Sequence, residues 1–234
     1  MRLPKSNRDG QAGRRQLTGR RPGRQAGPAN FAASQVSTRD RILDAAEGLL
    51  ATHTFSGTQV DAVARVAGVN KRLIYHYFGD KAGLYREVLR RAHRRWTTFD
   101  YFKEAPKDPV EFIDGFVCWS FQRYRDDPNF VKLIVGENIL EGKYFEIASP
   151  SPFTWLLLTT FSEVVQRGKI QGAIRAEVDP TQLLATIIGL CFFTFSNAYT
   201  MSRTLQADFR DPAVLEQRLA HIRDVIRRNV APSL

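Results

Sequence analysis

The stretch Ala64-Arg65-Val66-Ala67-Gly68-Val69-Asn70-Lys71-Arg72-Leu73-Ile74-Tyr75-His76-Tyr77-Phe78-Gly79-Asp80-Lys81 decides the fold. Its centre, Gly68-Val69-Asn70, compresses the end of one helix and the start of the next into three residues. Glycine takes the left-handed conformation that closes a helix, valine plugs the turn, and asparagine caps the second helix. Upstream, Val60, Val63, Ala64 and Ala67 recur at helical spacing behind Thr58, read as an N-cap. Downstream, Ile74 and Phe78 stand four apart and face inward, which leaves Lys71, Arg72, Tyr75 and His76 on the other side. Two short helices joined by so tight a turn are a helix-turn-helix, in which the second helix presents polar side chains to a major groove.

Outward from this motif the chain reads as helix throughout. Ile42, Ala45, Ala46, Leu49 and Leu50 form one apolar stripe on a first helix that starts at Thr38 and is expected to stop near His53. Gly79-Asp80 ends the third helix and caps a fourth. Pro109 opens a helix to about Asp126, Pro128 one to about Leu140, and another follows Pro152 to Gly168. Asp179-Pro180 and Asp211-Pro212 begin two more, expected over roughly 180 to 203 and 212 to 229. Period-two alternation is absent over any useful length, so the class is all-α. We expect a basic arm without regular structure over 1–37, a helix-turn-helix domain over 38–102, and a helical ligand-binding and dimerisation domain over 103–234.

Charge is divided unevenly among these parts. Residues 1–37 carry eight Lys/Arg against Asp9, residues 38–98 eleven against six acids, and residues 99–234 fifteen against seventeen. The net +10 therefore comes entirely from the first 98 residues, as in a polyanion-binding front end joined to a neutral domain. Cys118 and Cys191 each sit in an apolar stretch, and nothing near the N-terminus joins a basic to a continuous apolar segment. A cytoplasmic, disulfide-free protein is the expectation.

The quoted run resembles the signature of the tetracycline-repressor (TetR) family, Ala-x-x-Ala-Gly-Val-Ser-x-x-x-Leu-Tyr-x-His/Tyr-Phe-x-x-Lys. Ile42-Leu43-Asp44-Ala45-Ala46 and Thr58-Gln59-Val60 are also similar to it. The family often has Gly where Thr54 stands, a small polar residue at Gln59, and Glu or Ala at Gly83. The resemblance implies a dimeric regulator that binds double-stranded DNA at a palindromic operator. By it, Thr58 and Gln59 touch the DNA backbone at a helix start, Lys81 does likewise, and Asn70 caps the recognition helix within the interface. Lys71, Arg72 and His76 are base-edge candidates, and Tyr75 and Tyr77 reach phosphates. Arg86, Arg90, Arg91, Arg94 and Arg95 wrap around the fourth helix and read mainly as a solvated face.

The segment Thr181 to Ser202 has no charged residue and must be tested as a membrane span. Its Thr, Ser, Gln and Asn content favours a buried helix at a subunit interface, so no membrane is expected. Leu215, Leu219, Ile222 and Ile226 stripe the last helix and are candidates for the dimer interface, completing a two-fold four-helix bundle. Phe116, Trp119, Trp155 and Phe192 are candidates for lining a pocket that takes a small-molecule effector.

The competing functions divide on few residues. His53, His76, His93 and His221 stand far apart, no cysteines have ligand spacing, and no glycine-rich phosphate loop occurs, so neither an enzyme nor a cofactor is expected. A constitutive architectural DNA binder would need only the arm and the helix-turn-helix, and leaves over a hundred aromatic-rich helical residues without a purpose. A membrane-anchored regulator is the third alternative. If the arm contacts phosphates, deleting residues 1–30 will flatten the salt dependence of DNA affinity; an identical slope would mark the arm as dispensable.

Overall fold

In the computed structural model, residues 37–97, 101, 106–145 and 152–232 are described, and most of the basic arm, 1–36, lies outside them. Ten helices follow one another among the described residues. The first four are α1 (Thr38–Gly57), α2 (Val60–Ala67), α3 (Lys71–Phe78) and α4 (Lys81–Thr97). Next come α5 (Pro109–Asp126), α6 (Pro128–Ile139), α7 (Pro152–Ile170), α8 (Pro180–Ser196), α9 (Ala198–Leu205) and α10 (Pro212–Val230). Four of them, α5, α6, α8 and α10, open on Asp-Pro. The carboxylates of Asp108, Asp127, Asp179 and Asp211 accept from N–H groups two or three residues on, while the proline occupies the first helical position, where no N–H is needed.

The end of α1 explains one departure from the family pattern. Thr54 has φ 59° and ψ 179°, a conformation that glycine adopts at little cost and a β-branched residue does not. The helix therefore breaks close to His53, as the apolar stripe predicts, and the chain turns toward α2. The structure also accounts for the departure at Gly83: a Cβ there would lie 2.0 Å from the Phe78 carbonyl oxygen, so the larger residues usual at this site do not fit this α3–α4 corner.

Two expectations for the C-terminal part are corrected. The helix expected over 180 to 203 is two helices, α8 and α9, bent by 78° at Asn197. Among the described residues no single helix is long and apolar enough to cross a membrane. The stripe Leu215, Leu219, Ile222 and Ile226 is buried within its own chain, where α10 packs on α5 and α8. Those four side chains are core residues and are not available as a dimer surface. Helical periodicity identifies an apolar face without saying which chain covers it. Asp114 on α5 fastens the same seam, bonded to Arg223 at 2.6 Å and Arg227 at 3.0 Å. The hydrogen bond from Arg223, with that from Arg227, holds the Asp114 carboxyl below the usual aspartate range against the opposing effect of burial.

Thr54→Gly will relieve the strained backbone and stabilise the fold by about 1 kcal/mol, after allowing for the entropy that glycine adds to the unfolded chain. A higher urea midpoint at unchanged slope is the expected reading.

Candidate nucleic-acid interface

The turn between α2 and α3 is built as its three residues require. Gly68 lies in the left-handed region at φ 64°, and Val69 N–H donates back to the Ala64 carbonyl at 3.0 Å. The Asn70 side chain accepts from Arg72 N–H at 2.9 Å and starts α3. Ile74 and Phe78 are buried and anchor the helix, while Arg72, Tyr75, His76 and Tyr77 are exposed. His76 and Tyr77 meet edge-on, with ring centroids 5.5 Å apart. Cations and hydrogen-bonding aromatics thus share one outward surface on a helix whose other side is locked.

Three predicted contacts sit differently from expectation. Thr58 is buried, and its hydroxyl donates to the carbonyls of Thr54 at 2.7 Å and Leu49 at 3.3 Å. It closes the end of α1; the N-cap of α2 is Gln59, exposed and without a side-chain cap bond. The Thr58 hydroxyl is therefore turned into the fold, whereas the Gln59 side chain is open to solvent. Lys81 lies with its ammonium 4.6 Å from the centroid of the Phe55 ring and 3.5 Å from the Ser56 carbonyl, bridging α4 to the α1–α2 corner. Lys71 is half-buried and ion-paired, its Nζ 2.9 Å from Asp61 on α2. The hydrogen bond to Asp61 holds the Lys71 ammonium above the usual lysine range.

The fourth-helix arginines are not simply a solvated face. Arg95 grips Glu47 of α1 with two bonds, 2.9 and 2.7 Å, and reaches Asp127, the cap of α6, at 3.0 Å. Arg91 bonds the same Glu47 at 2.9 Å and Asp44 at 2.7 Å. Glu87 takes Arg39 and Arg90. Burial opposes charge on Arg95, and its bonds to Glu47 and Asp127 outweigh that, so its pKa is raised. Sequence reasoning missed Glu47 and Asp127. The available signal was an acid one turn from both Leu43 and Leu50, facing an arginine-rich helix.

The pocket candidates fall into two places. Phe116 is buried and stacks on Trp119, whose ring centroid lies 5.6 Å from that of Trp96. Trp96 continues the contact to Tyr124, and Tyr124 to Phe192. Phe116, Trp119 and Phe192 thus belong to one run of aromatic contacts around α5. Trp155 does not join them: it is 63% exposed and lines an open groove of about 590 Å³ between α7 and α8. The exposed positions of α8, including Ala185, Ile188 and Phe193, carry no charge.

The family model described as bacterial regulatory proteins, tetR family, matches residues 42–88, and that described as tetracyclin repressor-like, C-terminal domain, matches residues 109–226. The chain belongs to the TetR family. This TetR-family protein is 26% identical to the HTH-type transcriptional repressor NicS of Pseudomonas putida, over 82% of this chain and 92% of that one. It is 24% identical to the HTH-type transcriptional regulator RutR of Escherichia coli K12, over 82% of this chain and 89% of RutR. In fold it matches the ketosteroid transcriptional regulator KstR2 of Mycobacterium tuberculosis with a TM-score of 0.61 at 17% identity, over 84% and 96% of the two chains. As a TetR-family member it is a DNA-binding transcription regulator.

Glu47→Gln leaves two arginines facing a neutral amide in a half-buried site and will cost about 2–4 kcal/mol of stability. Asp44→Asn removes a carboxylate that is 62% exposed and will cost less than about 0.5 kcal/mol. Urea unfolding of the two variants side by side reads the difference.

Proposed function

We propose that the protein is a homodimeric cytoplasmic repressor, bound to a palindromic operator and released from it by a small-molecule effector. The observation that carries this reading is the outward surface of α3, where Arg72, Tyr75 and His76 project from a helix fixed by Ile74 and Phe78. Arg72 and His76 read base edges, and Tyr75, Tyr77 and Gln59 hold phosphates. A second copy places its own α3 about 34 to 36 Å away, one turn of DNA further on. The charge-free outer side of α8 supports pairing of the two copies there, in place of the buried α10 stripe.

The division of labour runs through α4. Residues 38–102 read DNA, residues 103–234 take the effector among the aromatics around α5, and Arg95 joins α1 to the start of α6 between them. An effector that favours a different placement of α5 and α6 shifts α4 through this bond and changes the spacing of the two recognition helices. Release is then a population shift whose size equals the effector's preference for the second arrangement.

A footprint on DNA flanking the protein's own gene, repeated across a broad metabolite set, tests the reading. Protection of a two-fold symmetric site, lost with one of the compounds, is expected; no loss with any of them would count against effector control. On that site Tyr75→Ala will weaken binding to all sequences alike, while Arg72→Ala will cost about 1–3 kcal/mol and relax preference at particular base pairs. Unchanged binding in both variants would remove α3 from the interface.

A further inference from the structure

Lys71 and Asp61 form an ion pair on the face assigned to DNA, and the pair has an electrostatic consequence there. Lys71 is the first residue of α3, and its stem runs past the ring of Tyr75, with Nζ 5.9 Å from the centroid. The ammonium is directed back across the turn to Asp61, in the first turn of α2, at 2.9 Å. The Asp61 side chain is 65% exposed and that of Lys71 42%, so the pair stands on the surface and not in the core. An exposed pair of this kind is weak by itself, and a phosphate could compete for the ammonium. What opposes the exchange is the carboxylate left behind: if Lys71 leaves for a phosphate, Asp61 faces the DNA polyanion unpaired.

We infer that Asp61 is a specificity-determining residue, which holds Lys71 in an internal ion pair and withholds its charge from the DNA phosphates. The pair contributes no net charge to the interface. Attraction that any sequence would satisfy is thereby reduced, and discrimination falls to Arg72, whose guanidinium can bond two acceptors on one base. Asp61 acts through Lys71 and is a positioning residue; its carboxylate need not touch DNA. The inference rests on reading α3 as the recognition helix.

The test uses the full chain and a random-sequence duplex, with affinity measured across a salt series. Asp61→Asn keeps the shape and the hydrogen-bond acceptor and removes the charge. It is expected to raise non-specific affinity several-fold and to steepen the plot of log affinity against log salt by about 0.9, the increment for one added phosphate contact. Adding Lys71→Gln to Asp61→Asn is expected to abolish the steeper slope, because the gain runs through the released ammonium. An unchanged slope in Asp61→Asn, or a gain that survives in the double variant, would overturn the inference. The second result would mean that only a repelling charge had been removed. Thermal melts of each variant confirm that the fold is retained. Selection of Arg72→Ala from a randomised duplex library separates the two readings. Relaxed preference there without an effect of Asp61→Asn overturns this inference alone, whereas intact preference there overturns the recognition-helix reading.

Discussion

The grip of Arg95 on Glu47 and Asp127 is the constraint on which the rest of the arrangement depends. Glu47 is 7% exposed, and a carboxylate at that depth is tolerated only when cations meet it with good geometry. Arg95 meets it with two near-parallel bonds and Arg91 with a third. Such a pair adds little to net stability compared with apolar packing, because desolvation offsets most of the attraction. Its effect is on geometry: α4 cannot rotate or slide against α1 without stranding a buried charge. Since Arg95 also reaches Asp127, the start of α6 is tied to the same point.

A second tie lies further along the same helix. Tyr85 on α4 is buried beside Glu137 of α6, and burial together with the charge of Glu137 keeps its phenol protonated far above the usual tyrosine range. Glu137 in turn accepts from the N–H groups of Tyr144 and Phe145, and Tyr144 packs its ring on Phe55 and Tyr85. Thus α4 is held to α6 near both ends, with α1 packed alongside. These polar contacts have direction and fix α4 against α6 in a way that apolar packing, which can slide, does not.

Much of this fold was legible in the sequence because local chemistry determines it. Capping residues, first-turn prolines and Gly68 act within a few residues of where they stand, so Asn70, Asp179 and Asp211 could be read in isolation. What escaped depends on distant partners. The α10 stripe Leu215–Ile226 announced an apolar face correctly, but whether α5 of the same chain or a second chain covers it is a tertiary fact. Asn197 breaks a run of twenty-two uncharged residues without proline or glycine to mark it. Thr58 had the composition of a cap and serves instead as a donor to the preceding helix, because the turn at Thr54 brings two carbonyls within reach. Glu47 and Asp61 have no local signal of their role, and only the placement of α4 and α3 gives each its cation.

The same pairings change how the charge of the front half should be read. Of the eleven basic residues between 38 and 98, Arg39, Lys71, Arg90, Arg91 and Arg95 each meet an acid within the fold. Counting charges along the chain overstates what these residues offer a polyanion, because a paired cation is screened at close range by its partner. Within α3, Arg72 is the one arginine or lysine that meets no acid among the described residues, and it stands beside neutral hydrogen-bonding aromatics. At long range the excess of eleven basic over six acidic side chains between 38 and 98 persists, and the largest net charge in the sequence, +7 over residues 1–37, immediately precedes α1 in the chain.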